Sequence, residues 1–110
     1  MATTPEGRVK KDVRKELERR GAWSFMPMQN GMGVVGIPDL IVCYRGCFVA
    51  IETKAPNKRP TTEPQRWNKA TANQQHQIGG IRTALGIAEV VDDVAQVVAI
   101  LNEIDRRLEG

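Results

Sequence analysis

Between Thr4 and Gly21, Val9, Val13 and Leu17 recur at every fourth position among mostly charged neighbours, which predicts a helix with one narrow inward stripe. Thr4 suits an N-cap, Pro5 the first turn, Glu6 the positive end of the helix dipole and Gly21 the stop. Ala22 to Met28 reads as a strand with Trp23 and Phe25 on one face, and Gln29 to Gly36, holding three glycines, as a flexible loop. Asp39 to Tyr44 and Cys47 to Lys54 are strand-like runs separated by Arg45-Gly46, the spacing of a two-residue hairpin. Thr62 with Gln65 makes a capping box that opens a helix. Trp67, Thr71, Gln74, Ile78, Ile81 and Leu85 keep helical spacing as far as Gly86, with Gly79-Gly80 a natural stop, so this segment is one helix or a helix that breaks and resumes. Ile87 to Val91 reads as a short strand. From Asp92 or Asp93 onward, Val94, Val97, Val98, Leu101, Ile104 and Leu108 share one face of an amphipathic helix, and that apolar face is a candidate for pairing two copies of the chain.

The two-residue turn sets a register. Pairing Tyr44 with Cys47 places Cys43 opposite Phe48, Val42 opposite Val49, Ile41 opposite Ala50, Leu40 opposite Ile51 and therefore Asp39 opposite Glu52. By alternation one face carries Asp39, Ile41, Cys43, Phe48, Ala50, Glu52 and Lys54. The other face is apolar as well, so the hairpin should be central and covered on both sides, with Cys43 and Cys47 pointing apart and forming no disulfide. Two carboxylates facing each other on a buried hairpin repel and are costly to desolvate. Lys54 supplies one compensating charge, and a divalent cation would supply the rest. Oxygen-only ligands suit magnesium or manganese, which also take waters and phosphate oxygens, so the chemistry indicated is metal-dependent phosphodiester hydrolysis with Lys54 orienting the nucleophile or neutralising the transition state. At about 100° per residue, Glu6 lies only about 20° from the centre of the Val9, Val13, Leu17 stripe, which aims its carboxylate inward. A solvated first-turn glutamate serving the dipole is the alternative.

Composition narrows the options. With 110 residues, 41% of them hydrophobic, the chain is expected to form one domain over 1–110 with one modest core. No apolar run approaches a membrane span and no export signal opens the chain, so a cytoplasmic setting is expected. Two cysteines and the single histidine, His76, cannot make a four-ligand zinc site, and nothing calls for an organic cofactor. The formal charge of +3 permits a polyanionic partner without demanding one. Arg8 and Lys11 on the first helix, and Lys58 and Arg59 just past Lys54, are candidates for phosphate contacts, with Arg66 and Lys69 weaker ones. The ordinary solvated face competes for the first-helix patch. His76 reads as a solvated helix residue, and Trp23 and Trp67 read as core.

Gly36-Ile37-Pro38-Asp39, an apolar hairpin and then Glu52-Thr53-Lys54 together resemble the motif of the PD-(D/E)XK nuclease superfamily. At about 5% per specified residue, that motif with a flexible gap would arise by chance in roughly 1% of chains this long. Within the superfamily, Pro5-Glu6-Gly7, the segment Gly36 to Leu40 and the basic loop leading to Pro64-Gln65 are most similar to the VRR-NUC (virus-type replication-repair nuclease) group, over residues 5 to 93. The resemblance implies an α/β, restriction-endonuclease-like core: a central mixed sheet of about four strands flanked by helices, in the order α-β-β-β-α-β-α. It also implies Mg²⁺- or Mn²⁺-dependent cleavage of DNA, often branched structures such as Holliday junctions, by a homodimer in a bacterial or phage-infected cell. Carried over residue by residue, it makes Asp39 and Glu52 metal ligands, the main-chain carbonyl of Thr53 a further ligand, Lys54 the catalytic lysine and Glu6 the first-helix acid that completes the site. Gln65 matches a glutamine early in the second helix that would face DNA, although its direction, nearly opposite to Trp67, leaves a plain capping role equally open. The expected function is a structure-selective DNA endonuclease of replication, recombination or repair. A catalytically silent DNA-structure-binding module is the alternative.

Overall fold

The computed structural model describes residues 3–28 and 33–110. Its elements are α1 (Pro5–Arg19), β1 (Trp23–Phe25), β2 (Leu40–Tyr44), β3 (Cys47–Thr53), α2 (Glu63–Lys69), α3 (Ala72–Thr83), β4 (Ile87–Val91) and α4 (Val94–Glu109). Thr4 caps α1, its hydroxyl oxygen accepting from the Gly7 N–H (3.0 Å), and the chain leaves the helix through Gly21 at φ 74°. Residues 29–32 of the expected glycine-rich loop lie outside the described residues.

The four strands form one sheet in the order β1-β2-β3-β4, the first three antiparallel and β4 parallel to β3. Arg45 (φ 49°) and Gly46 (φ 83°) both take left-handed backbone, the requirement of a type I′ turn. That turn fixes the expected register in all five pairs from Tyr44↔Cys47 to Leu40↔Ile51. On one face α1 and α4 close the main core, where Val13, Leu17, Leu40, Val49, Ile51, Val97 and Leu101 are fully buried. Each large side chain among them contributes roughly 1.5–3 kcal/mol by leaving water. On the other face α2 and α3 cover Ala50, Ala88 and Val90 with Ala70 and Ile78, and Trp67 and Ile81 pack at the margin.

Several expectations are corrected. The second helical segment breaks at Ala70–Thr71, not at Gly79-Gly80. Ala70 turns extended (ψ 145°), and Thr71 with Gln74 forms a second capping box that starts α3, which then runs straight through both glycines. A side chain that satisfies orphan N–H groups restarts a helix at low cost, whereas Gly79 and Gly80, near the anchoring Ile78, only weaken one already formed. The order is therefore α-β-β-β-α-α-β-α. Trp23 is 60% exposed and not in the core, because β1 is the sheet edge and α2 and α3 pack mainly over β3 and β4 on that face, with Ile41 of β2 at their margin. For the same reason Cys43 is exposed and Phe48 is half-exposed, so the hairpin is central but covered on both faces only toward its open end. Both cysteines are free. In the apolar stripe of α4, Val97, Leu101 and Ile104 are buried in the core, Val94 and Val98 are partly buried and Leu108 stands largely open.

Candidate active site

The open end of the hairpin gathers the chemistry. Asp39 lies one residue beyond the paired part of β2, following buried Pro38. Its Oδ2 accepts from the Thr53 N–H (3.0 Å) and the Thr53 hydroxyl (2.7 Å), and its Oδ1 lies 3.6 Å from Lys10 Nζ. Glu52 sits near the end of β3, 3% exposed, with its Oε2 accepting from Gln74 Nε2 (3.2 Å) and 3.7 Å from Lys54 Nζ. Lys54 Nζ donates to Gln74 Oε1 (2.9 Å), which also accepts from the Thr71 N–H (2.9 Å). Gln74 thus ties the two charged groups together, its carbonyl on the ammonium and its amide on the carboxylate. The Lys54 N–H donates to Val91 O (2.8 Å), pinning the end of β3 to β4.

Burial pushes the Glu52 carboxyl up to about 8 from 4.5. The negative charge of Asp39 pushes the same way, and Lys54 offsets part of the rise. Glu6 adds a smaller push through its own charge, so α1 does bring that carboxylate within electrostatic reach of Glu52. Among the described residues, no three His, Cys, Asp or Glu side chains are arranged to hold a metal ion, and the acidic centre is the Asp39–Glu52 pair with Glu6 at a distance. A pair of abutting carboxylates, one of them buried against its own ionisation, fits a hard divalent cation that takes one or two carboxylates and completes its shell with other oxygens.

Gly36 positions the loop that delivers Asp39. At φ 85°, a Cβ there would lie 2.4 Å from the Asn73 carbonyl group and 2.8 Å from Gln74 N, so only glycine lets this backbone close on the first turn of α3. The stretch after Lys54 is also pinned. Lys69 Nζ donates to Asp92 (2.9 Å), Asn57 and Ala55 O, the Thr61 hydroxyl donates to both Asp92 oxygens (2.8 and 3.0 Å), and Gln96 Nε2 donates to Asp92 Oδ1 (2.8 Å). Although burial pulls Asp92 upward, the hydrogen bonds from Gln96, Lys69 and Thr61 hold its carboxyl below the ordinary value. Lys58 and Arg59 project from this fixed stretch and are exposed.

The structure brings Asp39, Glu52, Thr53 and Lys54 together, with Glu6 nearby. Arg8 and Lys11 are exposed on α1. Gln65 is exposed and engaged in the capping box of α2, where its Oε1 accepts from the Thr62 N–H (2.8 Å). Two site residues escaped the sequence reading. Gln74 carried the spacing of a second capping box with Thr71, and Lys10 lies one turn beyond Glu6 on the same helix face.

No protein-family model matches the sequence, and neither does any curated protein. Among solved structures the chain is similar to one described as a VRR_NUC domain, at 24% identity and a TM-score of 0.67, covering 90% of this chain and 96% of that one. The resemblance read from the motif residues therefore extends to the fold, a mixed four-stranded sheet flanked by helices.

Proposed function

We propose that the chain is a VRR-NUC-type nuclease, a divalent-metal-dependent DNA endonuclease that hydrolyses phosphodiester bonds at the Asp39–Glu52 pair. The observation that carries this reading is an adjacent carboxylate pair, Glu52 buried and Asp39 partly so, with Lys54 within 3.7 Å of Glu52, in a chain with the fold of a VRR_NUC domain. Asp39, Glu52 and, by the resemblance, the Thr53 carbonyl would hold Mg²⁺ or Mn²⁺, with Glu6 the first-helix acid that the resemblance adds to them. When bound, the cation supplies Lewis-acid stabilisation of the charge that builds on the phosphoryl oxygens. The Thr53 N–H and hydroxyl fix the Asp39 carboxylate, and Gln74 holds the Lys54 ammonium beside Glu52. From there Lys54 orients the attacking group and neutralises the transition state. Burial favours the protonated form of Glu52 in the metal-free site, and a bound cation would favour the ionised one. Lys58 and Arg59, on their pinned loop, take neighbouring phosphates, as do Arg8 and Lys11.

The preferred substrate is branched DNA, and two copies acting together make the paired cuts that resolve a junction. The apolar stripe of α4 offers such an interface little free surface, because its Val97, Leu101 and Ile104 lie in the core. The test is a cleavage panel of four-way junction, flap, single-stranded and linear DNA with Mg²⁺, Mn²⁺ or EDTA, run beside binding to the same DNAs. Metal-dependent cutting of the branched forms is expected. Tight binding to junctions with no cutting under either metal would replace this reading with the silent binding module.

A further inference from the structure

The sheet face that carries Asp39 and Glu52 is half uncovered. α2 and α3 lie over β3 and β4, and among the described residues the helix packed against β1 is α1, on the opposite face. Trp23 (60% exposed) and Phe25 (47%) therefore stand open. Trp23 pairs with Cys43 and Phe25 with Ile41, so alternation puts both rings on the face of Asp39. With about 3.3 Å per residue along a strand and about 4.8 Å between strands, Phe25 lies about 8 Å and Trp23 about 14 Å from Asp39 along the sheet. The rings form a tilted pair, centroids 5.4 Å apart and planes at 55°, and retain uncovered ring area.

Trp23 and Ser24 also form one wall of a groove whose other wall is Lys11, Arg14, Lys15 and Glu18 of α1. On the same helix Lys10 and Arg19, and Arg20 at its C-cap, are engaged in ion pairs. Among the described residues, Lys11, Arg14 and Lys15 have no such partner. Three uncommitted cations sharing an edge groove with Trp23, whose exposed ring pairs with Phe25 on the adjoining face, are a combination that can hold a single nucleic-acid strand passing round the sheet edge, phosphates on the cations and bases on the rings. A second copy of the chain is a poorer occupant, because a two-fold contact centred on Trp23 would bring two of these cation clusters together.

We infer that Trp23 and Phe25 are a stacking site for unpaired bases, and that Lys11, Arg14 and Lys15 hold the backbone of that same strand. Within branched DNA, the forms this favours are those with a single-stranded segment within a few nucleotides of the cut, as in a flap, since a strand advances at least about 3.4 Å per nucleotide. This selection of substrate rests on the nuclease reading. The binding of an unpaired strand does not.

The test measures fluorescence anisotropy of labelled (dT)15 and of a blunt 20-base-pair duplex at low salt without divalent metal, for wild type, Trp23→Ala and Trp23→Phe, with tryptophan emission recorded in the same titrations. Wild type is expected to quench on adding (dT)15. Trp23→Ala should lower the ratio of (dT)15 to duplex affinity by about tenfold, the size of one lost base–ring stack. Trp23→Phe keeps a stacking face, so it should retain the ratio and lose most of the quench. Because Trp23 is largely exposed, neither variant threatens folding, and circular dichroism checks that. An unchanged ratio in Trp23→Ala overturns the inference, and so does loss of self-association on sedimentation with no change in the ratio. A protein that stacks (dT)15 through Trp23 yet cuts no DNA with Mg²⁺ or Mn²⁺ would sink the nuclease reading alone.

Discussion

Glu52→Gln should stabilise the metal-free protein while abolishing its chemistry. The wild-type carboxyl rises from 4.5 to about 8 on folding. At about 1.4 kcal/mol per pH unit, its ionised form therefore destabilises the fold by up to about 5 kcal/mol. The sign follows from the direction of the shift. Below pH 4.5 the group is protonated folded and unfolded alike and costs nothing. Between pH 4.5 and about 8 the unfolded chain releases the proton and the folded one keeps it, so stability falls steadily, and above about 8 the full penalty is present. Glutamine is uncharged at every pH, fills nearly the same volume and still offers a carbonyl to Gln74 Nε2. In EDTA, thermal or urea unfolding should show the variant within about 1 kcal/mol of wild type near pH 5 and more stable by up to about 4 kcal/mol at pH 8, each kcal/mol being worth roughly 4 °C or more in melting temperature for a chain of this size. Added Mg²⁺ should then stabilise wild type and leave the variant unmoved. A variant no more stable than wild type at pH 8, or a gain that does not grow between pH 5 and 8, would refute the claim that the fold holds this carboxyl against its own ionisation.

Lys54→Ala should slow single-turnover cleavage by about a hundredfold or more while DNA affinity stays within a few fold, because the ammonium acts on the transition state. Gly36→Ala forces a Cβ to within 2.4 Å of the Asn73 backbone at a positive φ, so it should cost more than about 2 kcal/mol in unfolding free energy and reduce cleavage through a displaced Asp39. Asp92→Ala leaves Lys69 without its buried partner, and urea melts should show a loss of about 3 kcal/mol. The double variant Lys58→Ala, Arg59→Ala should flatten the dependence of log affinity on log salt by up to about 2, with no change in melting temperature.

How far the site was legible depends on what each residue's placement needs. The meeting of Asp39 with Glu52 follows from one local fact, a two-residue turn at Arg45-Gly46, because a fixed turn and a period of two propagate register without knowledge of the rest of the fold. The inward tilt of Glu6 follows likewise from helical geometry. Gln74 was hidden because Thr71 and Gln74 also continue a helical stripe, and a stripe reads as packing even when two of its members are restarting the helix. Gly36 announces only a turn until the approach of α3 shows why no side chain fits. Trp23 shows the sharpest limit: alternation tells which face the indole occupies, but whether a helix covers that face depends on where a crossover beginning some forty residues later comes to rest.

The most direct measurement is single-turnover cleavage of an end-labelled four-way junction by wild type and Asp39→Asn as Mg²⁺ is raised from zero. Wild type should cut nothing in EDTA and reach a plateau rate with metal, and Asp39→Asn, folded as judged by circular dichroism, should be slower by about a hundredfold or more at every concentration. An Asp39→Asn protein that cuts within a few fold of wild type would place the chemistry elsewhere and contradict the account.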